Sequence, residues 1–349
     1  MVKQDLQWLD SMEKVSNFKV EADRKLYSAT HEEILSGATT DIYFVKAQEI
    51  LRHLEKEDSV VVAEIFSRKS GMFAGINEMM GLLKDKDVEV WAKPEGSHME
   101  PKDVMVRIKG KYSEFGIYET ALLGILASSS GWATAAHKIK SVCPDKMMSV
   151  FGARHLHPAV APVMERAAIV GGIDASSCIL GAKLCGLEPA GTTPHAMFLV
   201  AGSTVVGAVA YDELMPEDAA RIILVDTFKD EIEESLAVAE ALGDKLEGIR
   251  LDTPSERGGV TIGLVKETRA RLDQAGCENV KIVVSGGLTP ERVAELAAAG
   301  ADSFGVGSYI SGARALDMTM DIKEVNGKPV AKRGRIPGIT STEGLVKMQ

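Results

Sequence analysis

In the second half of the chain, four short apolar runs each end on a polar or glycine-rich tip: IILVDT at 222–227, GIRLDT at 248–253, KIVVSGG at 281–287 and SFGVGS at 303–308. Between successive runs lies one stretch long enough for a helix and a turn. Helical periodicity over Glu231–Leu242, Ile262–Gln274 and Pro290–Ala299 stops in each case at or near a glycine (Gly243, Gly276, Gly300), the residue that most readily ends a helix. Thr289 and Pro290 supply a cap and a first-turn proline for the third of these helices. Strands buried on both faces and alternating with helices predict a parallel β/α barrel, whose working residues sit at the carboxyl ends of the strands.

The first half is patterned differently. Short β-runs at 59–66, 88–97 and 103–115, with the helical segment GINEMMGLLKD among them, predict a small α+β domain. Residues 1–30 read as a polar helical lead-in. The stretch 120–138 is uncharged up to its basic flank but broken by Ser, Gly and Thr, which marks a packed core helix rather than a membrane span. The tail forms a β-hairpin turning on Asn326-Gly327. The expected division is a lead-in (1–30), an α+β domain (31–118) completed by the tail, an α/β barrel (119–320) and a hairpin and tail (321–349). The expected fold class is therefore α/β: an irregular parallel β/α barrel with a smaller α+β amino-terminal domain.

Composition narrows the function. With 349 residues the chain can bury a sizeable core, and a net charge of −10 argues against a nucleic-acid surface. Cys143, Cys178, Cys185 and Cys277 form no CxxC pair and sit far apart or in apolar segments, as buried reduced thiols of a cytoplasmic protein would. The amino terminus carries no apolar signal core, so no membrane partner is expected.

The strand tips carry the candidate chemistry. Ser285-Gly286-Gly287 and Gly305-Val306-Gly307 let the backbone approach an anion, and the helix beginning at Pro290 adds its free amides, so the pair predicts a phosphate site. Asp226 and Asp252 end adjacent strands. They can hold ribose hydroxyls, coordinate magnesium through water or stabilise positive charge at a sugar carbon; the plain alternative is a helix cap. Arg250 stands two residues before Asp252 and faces the same side of its strand. In FGARHLHP, Arg154 can clamp a carboxylate or phosphate, while His155 and His157 read as ordinary polar histidines unless a third ligand makes them a metal pair. His195, in GTTPHA, is a weak candidate alone.

Taken in order, TDIYF, PEG, FGIYET, FGARH, GGIDASSCILGAKL, GTTPHA, LVDTF, RLDTPSERG, VSGGL, FGVGS and DIKEVNGKP span most of the chain. In this series the chain resembles the nicotinate phosphoribosyltransferases, most closely their archaeal-type branch. The resemblance implies transfer of the phosphoribosyl group of phosphoribosyl pyrophosphate to nicotinate, giving nicotinate mononucleotide and pyrophosphate, with Mg2+ and coupling to ATP as family features. It implies that Tyr43 of the TD-x-Y motif, beside Asp41, and Phe151 stack on the two faces of the pyridine, Tyr43 coming from the other subunit of a homodimer. It places Arg154 and Arg250 near phosphate and acid, Asp226 and Asp252 in the sugar and magnesium region, and His195 where the family histidine is phosphorylated. Ser177 falls where nicotinamide-using relatives carry an aspartate, and as a donor it favours nicotinate.

Two departures stand out. His155 replaces a second arginine after Arg154, and the cysteine-rich carboxyl-terminal extension of archaeal relatives is missing before Gln349. Two rival readings keep the fold: a quinolinate- or nicotinamide-using phosphoribosyltransferase, and a catalytically silent ligand-binding homologue. Quinolinate, with two carboxylates, asks for more Arg or Lys near Phe151 than that segment contains.

Overall fold

The computed structural model describes residues 8–349. The first strands are β1 (Val60–Ser67), β2 (Gly71–Met72), β3 (Val88–Ala92), β4 (His98–Met99) and β5 (Val104–Lys111). They are followed by β6 (Met147–Val150), β7 (Ala175–Ser176), β8 (Ile222–Leu224), β9 (Gly248–Leu251), β10 (Lys281–Ser285) and β11 (Ser303–Val306). The tail contributes β12 (Met318–Val325), β13 (Lys328–Pro329) and β14 (Val346–Lys347). The chain divides into two compact units: the part up to Thr134 together with Arg314–Gln349, and Ala135–Ala313. The first boundary falls at 134/135, inside the helix Glu119–Lys140, rather than at 118/119, because that helix runs on well past the β-rich segment. The second falls at 313/314, so all of β12 belongs with the amino-terminal strands.

The first unit is built on an antiparallel sheet in the order β13-β12-β1-β5-β3-β14. β1 sits between β12 and β5, with Ala63 opposite both Ile322 and Ile108. It is buried along all but its first residue, which explains why its sequence reads VVVAEIFS without clean alternation. Its Glu64 is 1% exposed, and the carboxylate is held by Arg107 of β5 at 2.7 and 3.0 Å and by the Thr340 amide at 3.1 Å. Ile76, Met79 and Leu83 of the helix Ile76–Leu83 and Leu122 and Leu126 of the long helix close the core over the sheet. Asn326 and Gly327 both adopt positive φ (51° and 75°), the conformation a two-residue hairpin loop between β12 and β13 requires. The helical lead-in is largely absent among the described residues. It contains the short helix Met12–Asn17, capped by Ser11, and no helix between there and His31–Leu35; its residues 1–7 lie outside the described ones.

Burial raises the carboxyl of Glu119, the first residue of the long helix, to about 7, with Lys332 pulling it down and Asp321 adding to the rise. The folded unit therefore holds a proton that the unfolded chain, with its ordinary value of 4.5, gives up. The contribution to stability is full below the unfolded value and is lost as pH rises through the folded one. Urea midpoints are expected to fall between about pH 5 and about pH 8, and Glu119→Gln is expected to flatten that slope. A slope unchanged by the substitution would assign the effect to another group.

The second unit carries a parallel sheet in the order β7-β6-β11-β10-β9-β8. Neighbours pair in parallel, and the edge strands β7 and β8 each have a single partner, so the sheet curls into an open, irregular barrel. The helices Glu231–Leu242, Ile262–Gln274 and Pro290–Ala299 connect successive strands. Asp230, Thr261 and Thr289 cap them by accepting bonds from first-turn amides. Among the described residues Cys143, Cys178, Cys185 and Cys277 form no disulfide, and they are half-buried rather than buried. Among the described residues no single helix is long and apolar enough to cross a membrane.

Candidate active site

At the carboxyl ends of these strands the second unit encloses a cavity of about 590 Å³. Phe151, Arg154, Ser177, His195, Arg250, Asp252, Ser285, Gly286, Gly287, Gly305 and Gly307 all line it. Eleven positions scattered over 157 residues of sequence line one cavity, because β6, β7, β9, β10 and β11 deliver residues at or just past their carboxyl ends to the same rim and the helix His195–Ala201 begins there. Asp41 and Tyr43 belong to the other unit: Asp41 precedes the helix Ile42–His53, and Tyr43 is exposed there against the Phe44 ring. Val306 is fully buried within β11; it offers its carbonyl, at 2.7 Å, to the Phe151 amide and no side chain to the cavity.

Asp226 stands behind the wall rather than in it. Its Oδ1 meets His195 Nε2 at 3.0 Å and its Oδ2 accepts the Asp252 amide at 3.1 Å, so the tips of β8 and β9 are tied together through this carboxylate. Burial raises its pKa, the neighbouring His195 lowers it and Asp252 raises it again. Asp252 reaches the cavity. One oxygen accepts the Ser285 hydroxyl at 2.9 Å, and the other lies 3.9 Å from Arg250 Nη2.

Arg250 is the most exacting group. It leaves β9 for the cavity, donates to the Thr193 carbonyl at 3.4 Å and lies 5.9 Å over the Phe151 ring. Its Nε is buried without a hydrogen-bond partner among the described residues, as is Thr192 Oγ1 on the same wall. Burial lowers its pKa, Asp252 and Asp226 raise it, and Arg154 adds to the lowering. An arginine does not lose its proton, so the physical content is a guanidinium short of negative charge and of an acceptor. A bound anion supplies both.

The glycines divide by role. Gly286 and Gly287 have φ of 91° and 60°, a conformation that opens the loop after β10 toward the amino end of the helix Pro290–Ala299. Gly305 is different: a Cβ there would lie 2.2 and 2.3 Å from Phe151 ring atoms, so this glycine seats the aromatic ring. Gly307 borders His155, whose Nδ1 lies 2.9 Å from Ser311 Oγ. His157 does not line the cavity; its Nδ1 accepts the Ala159 amide. Among the described residues no three His, Cys, Asp or Glu side chains gather as a metal cluster. The Asp252 carboxylate, with one oxygen on the Ser285 hydroxyl and the other 3.9 Å from Arg250 Nη2, is the acidic group lining the cavity that could hold a Mg2+ keeping most of its shell in water and phosphate oxygens.

Sequence reasoning did not single out Glu165, Thr193 or Ser311, which hold Ser177, Arg250 and His155. Thr193 stood in a quoted motif. Glu165 had one visible signal: with the adjacent Arg166 it is one of two charged residues in the stretch APVMERAAIV, whose other residues are apolar.

An open β/α barrel with glycine loops, paired aspartates and a cationic aromatic pocket defines the class of phosphoribosyl-transferring enzymes. The comparisons narrow it: the N-terminal domain model of quinolinate phosphoribosyl transferase matches residues 41–130 and the C-terminal domain model matches 132–321. The chain belongs to the quinolinate phosphoribosyltransferase family. The crystal structure of nicotinate-nucleotide pyrophosphorylase from Pyrococcus furiosus is 43% identical, with a TM-score of 0.86 over 90% of this chain and 82% of that one. A probable nicotinate-nucleotide pyrophosphorylase (carboxylating) of Archaeoglobus fulgidus is 29% identical over 75% of this chain and 94% of its own length. A nicotinate phosphoribosyltransferase of Mycobacterium tuberculosis is 32% identical over 68% of this chain, which spans about half (52%) of that relative's length.

These matches correct the expected assignment. Quinolinate phosphoribosyl transferase models match residues 41–130 and 132–321, and a 43% identical structure carries the pyrophosphorylase name, whereas the nicotinate phosphoribosyltransferase of M. tuberculosis is matched over half its length. The nicotinate-specific reading is overturned. Its physical weakness was to count cations only along the segment around Phe151; Arg250, from a strand almost a hundred residues later in sequence, completes the pair in space.

Proposed function

We propose that the chain transfers the phosphoribosyl group of phosphoribosyl pyrophosphate to the ring nitrogen of quinolinate, giving nicotinate mononucleotide, pyrophosphate and carbon dioxide. The observation that carries this reading is the pair of guanidiniums, Arg154 and Arg250, lining the same cavity as Phe151, with Arg250 5.9 Å from its ring. Two fixed cations beside an aromatic face suit a flat ring bearing two carboxylates, and the acceptor missing at Arg250 Nε is what a carboxylate brings.

In the reaction the bond from the anomeric carbon to pyrophosphate breaks and a bond to the pyridine nitrogen forms. The 2-carboxylate then departs as carbon dioxide, its bonding pair stays on the ring carbon, and a proton from solvent takes that pair. Loss of carbon dioxide pulls the sequence forward without ATP. The loops at Gly286-Gly287 and Gly307 hold the 5′-phosphate, and Asp252 faces the positive charge that develops on the ribose. Mg2+, held by Asp252, would neutralise the leaving pyrophosphate. Positioning carries most of the rate.

The test uses purified protein, phosphoribosyl pyrophosphate, Mg2+ and quinolinate labelled in its 2-carboxylate. Labelled carbon dioxide and pyrophosphate are expected in equal amounts. Pyrophosphate release with nicotinate, and none with quinolinate, would overturn the proposal.

A further inference from the structure

One buried charge plays no part in the reaction just described. Glu165, on the helix Ala161–Val170, has no solvent exposure, and among the described residues no Lys, Arg or His forms an ion pair with it. Its partners are three consecutive residues at the end of β7. Oε2 accepts the Ser176 hydroxyl at 2.6 Å and the Cys178 amide at 2.7 Å, and Oε1 accepts the Ser177 hydroxyl at 3.1 Å. The fit is tight: a Cβ on Gly181 would stand 3.0 Å from Glu165 Cβ and 3.1 Å from Ser176 Oγ. A carboxylate stripped of water and matched only by hydroxyls and an amide is costly to keep. Of the three residues it holds, Ser177 lines the cavity.

A carboxylate only accepts, and a serine hydroxyl has one proton. With that proton given to Glu165, Ser177 turns lone pairs toward the cavity. This reverses its expected role as a donor to the acid, because a carboxylate placed there would meet oxygen against oxygen. We propose that Glu165 is a positioning residue that fixes Ser177 as a hydrogen-bond acceptor, so that bound phosphoribosyl pyrophosphate turns a sugar hydroxyl toward it. The inference rests on the phosphoribosyl reading of the site and adds the polarity of one of its walls.

The experiment is calorimetric binding of phosphoribosyl pyrophosphate with Mg2+ to wild type, S177A, E165Q and the double variant. In E165Q the amide donates where the carboxylate accepted, and the Ser177 proton is freed to point into the cavity. S177A and E165Q are each expected to weaken binding about 10-fold, the size of one hydrogen bond lost or reversed. In the double variant the loss should stay near 10-fold rather than multiply, since Glu165 acts through Ser177. Multiplied losses would make Glu165 merely structural and overturn the inference while leaving the function standing. Absence of binding to wild type would instead sink the phosphoribosyl reading itself. Should E165Q fail to fold, S177A and S177T on an intact Glu165 decide: binding lost with Ala and kept with Thr supports the proposal, and unchanged binding in S177A overturns it.

Discussion

Asp252→Asn is expected to lower turnover about 10³-fold while the protein stays folded and still binds phosphoribosyl pyrophosphate. The substitution keeps the shape of the side chain, and its remaining carbonyl oxygen can still accept the Ser285 hydroxyl that Asp252 accepts at 2.9 Å. What disappears is the negative charge facing the cavity. Asp226 cannot stand in for it, because both of its oxygens are spent on His195 and on the Asp252 amide and it does not line the cavity. Transfer at an anomeric carbon passes through a sugar carrying positive charge, and a fixed carboxylate aimed at that charge gives more to the transition state than to the substrate. The loss should therefore appear in kcat with a much smaller change in KM. The same substitution removes one of the charges that raise the Asp226 pKa, so the carboxylate behind the wall should ionise more readily. Steady-state kinetics alongside a urea unfolding curve check the expectation. Near-normal kcat in a folded variant would remove Asp252 from its role.

The strand tips were legible because chemistry and periodicity agree there. A run buried on both faces that ends in Asp-Thr or Ser-Gly-Gly has few ways to fold other than as a parallel strand with its tip at a rim. The bounds of Glu231–Leu242, Ile262–Gln274 and Pro290–Ala299 followed from caps and glycine stops, which are local signals. The long helix Glu119–Lys140 runs close to the core helix expected over 120–138, and the Ser and Thr that interrupt its apolar pattern serve the packing: Ser130 and Thr134 spend their hydroxyls on backbone groups of Ala74 and Met72. What failed was non-local. Gly305 read as a phosphate loop because nothing in its neighbours reveals that an aromatic ring from β6 lies across it. The acceptor was misread for the same reason: charge was summed along the chain when the cavity sums it across strands. Asp226 was placed in the reacting set, but its two hydrogen bonds show a tether between strand ends, a distinction that only coordinates make.

Gly305→Ala is expected to cost about 1–3 kcal/mol of stability and most of the affinity for the pyridine acid. β11 is an inner strand, paired with β6 on one side and β10 on the other, with Gly305 opposite Ser149 and Ser285. Phe151 leaves the end of β6, is pinned by its amide to the Val306 carbonyl at 2.7 Å, and lays its ring over the vacant position at Gly305. The backbone cannot withdraw, because both neighbours hold it in register. The ring cannot stay either, since an added methyl would lie 2.2 Å from its Cε2 atom. The ring must tilt away, and Arg250, 5.9 Å from it, loses the surface it stacks on. Stability and binding thus fall together, but for separable reasons. In the double variant F151L/G305A, the smaller side chain makes room for the methyl, so the urea midpoint should recover while quinolinate KM stays high. If the double variant regained both, the flat face of Phe151 would have no part in holding the acid. If Gly305→Ala alone left both unchanged, the ring would not rest where the geometry puts it.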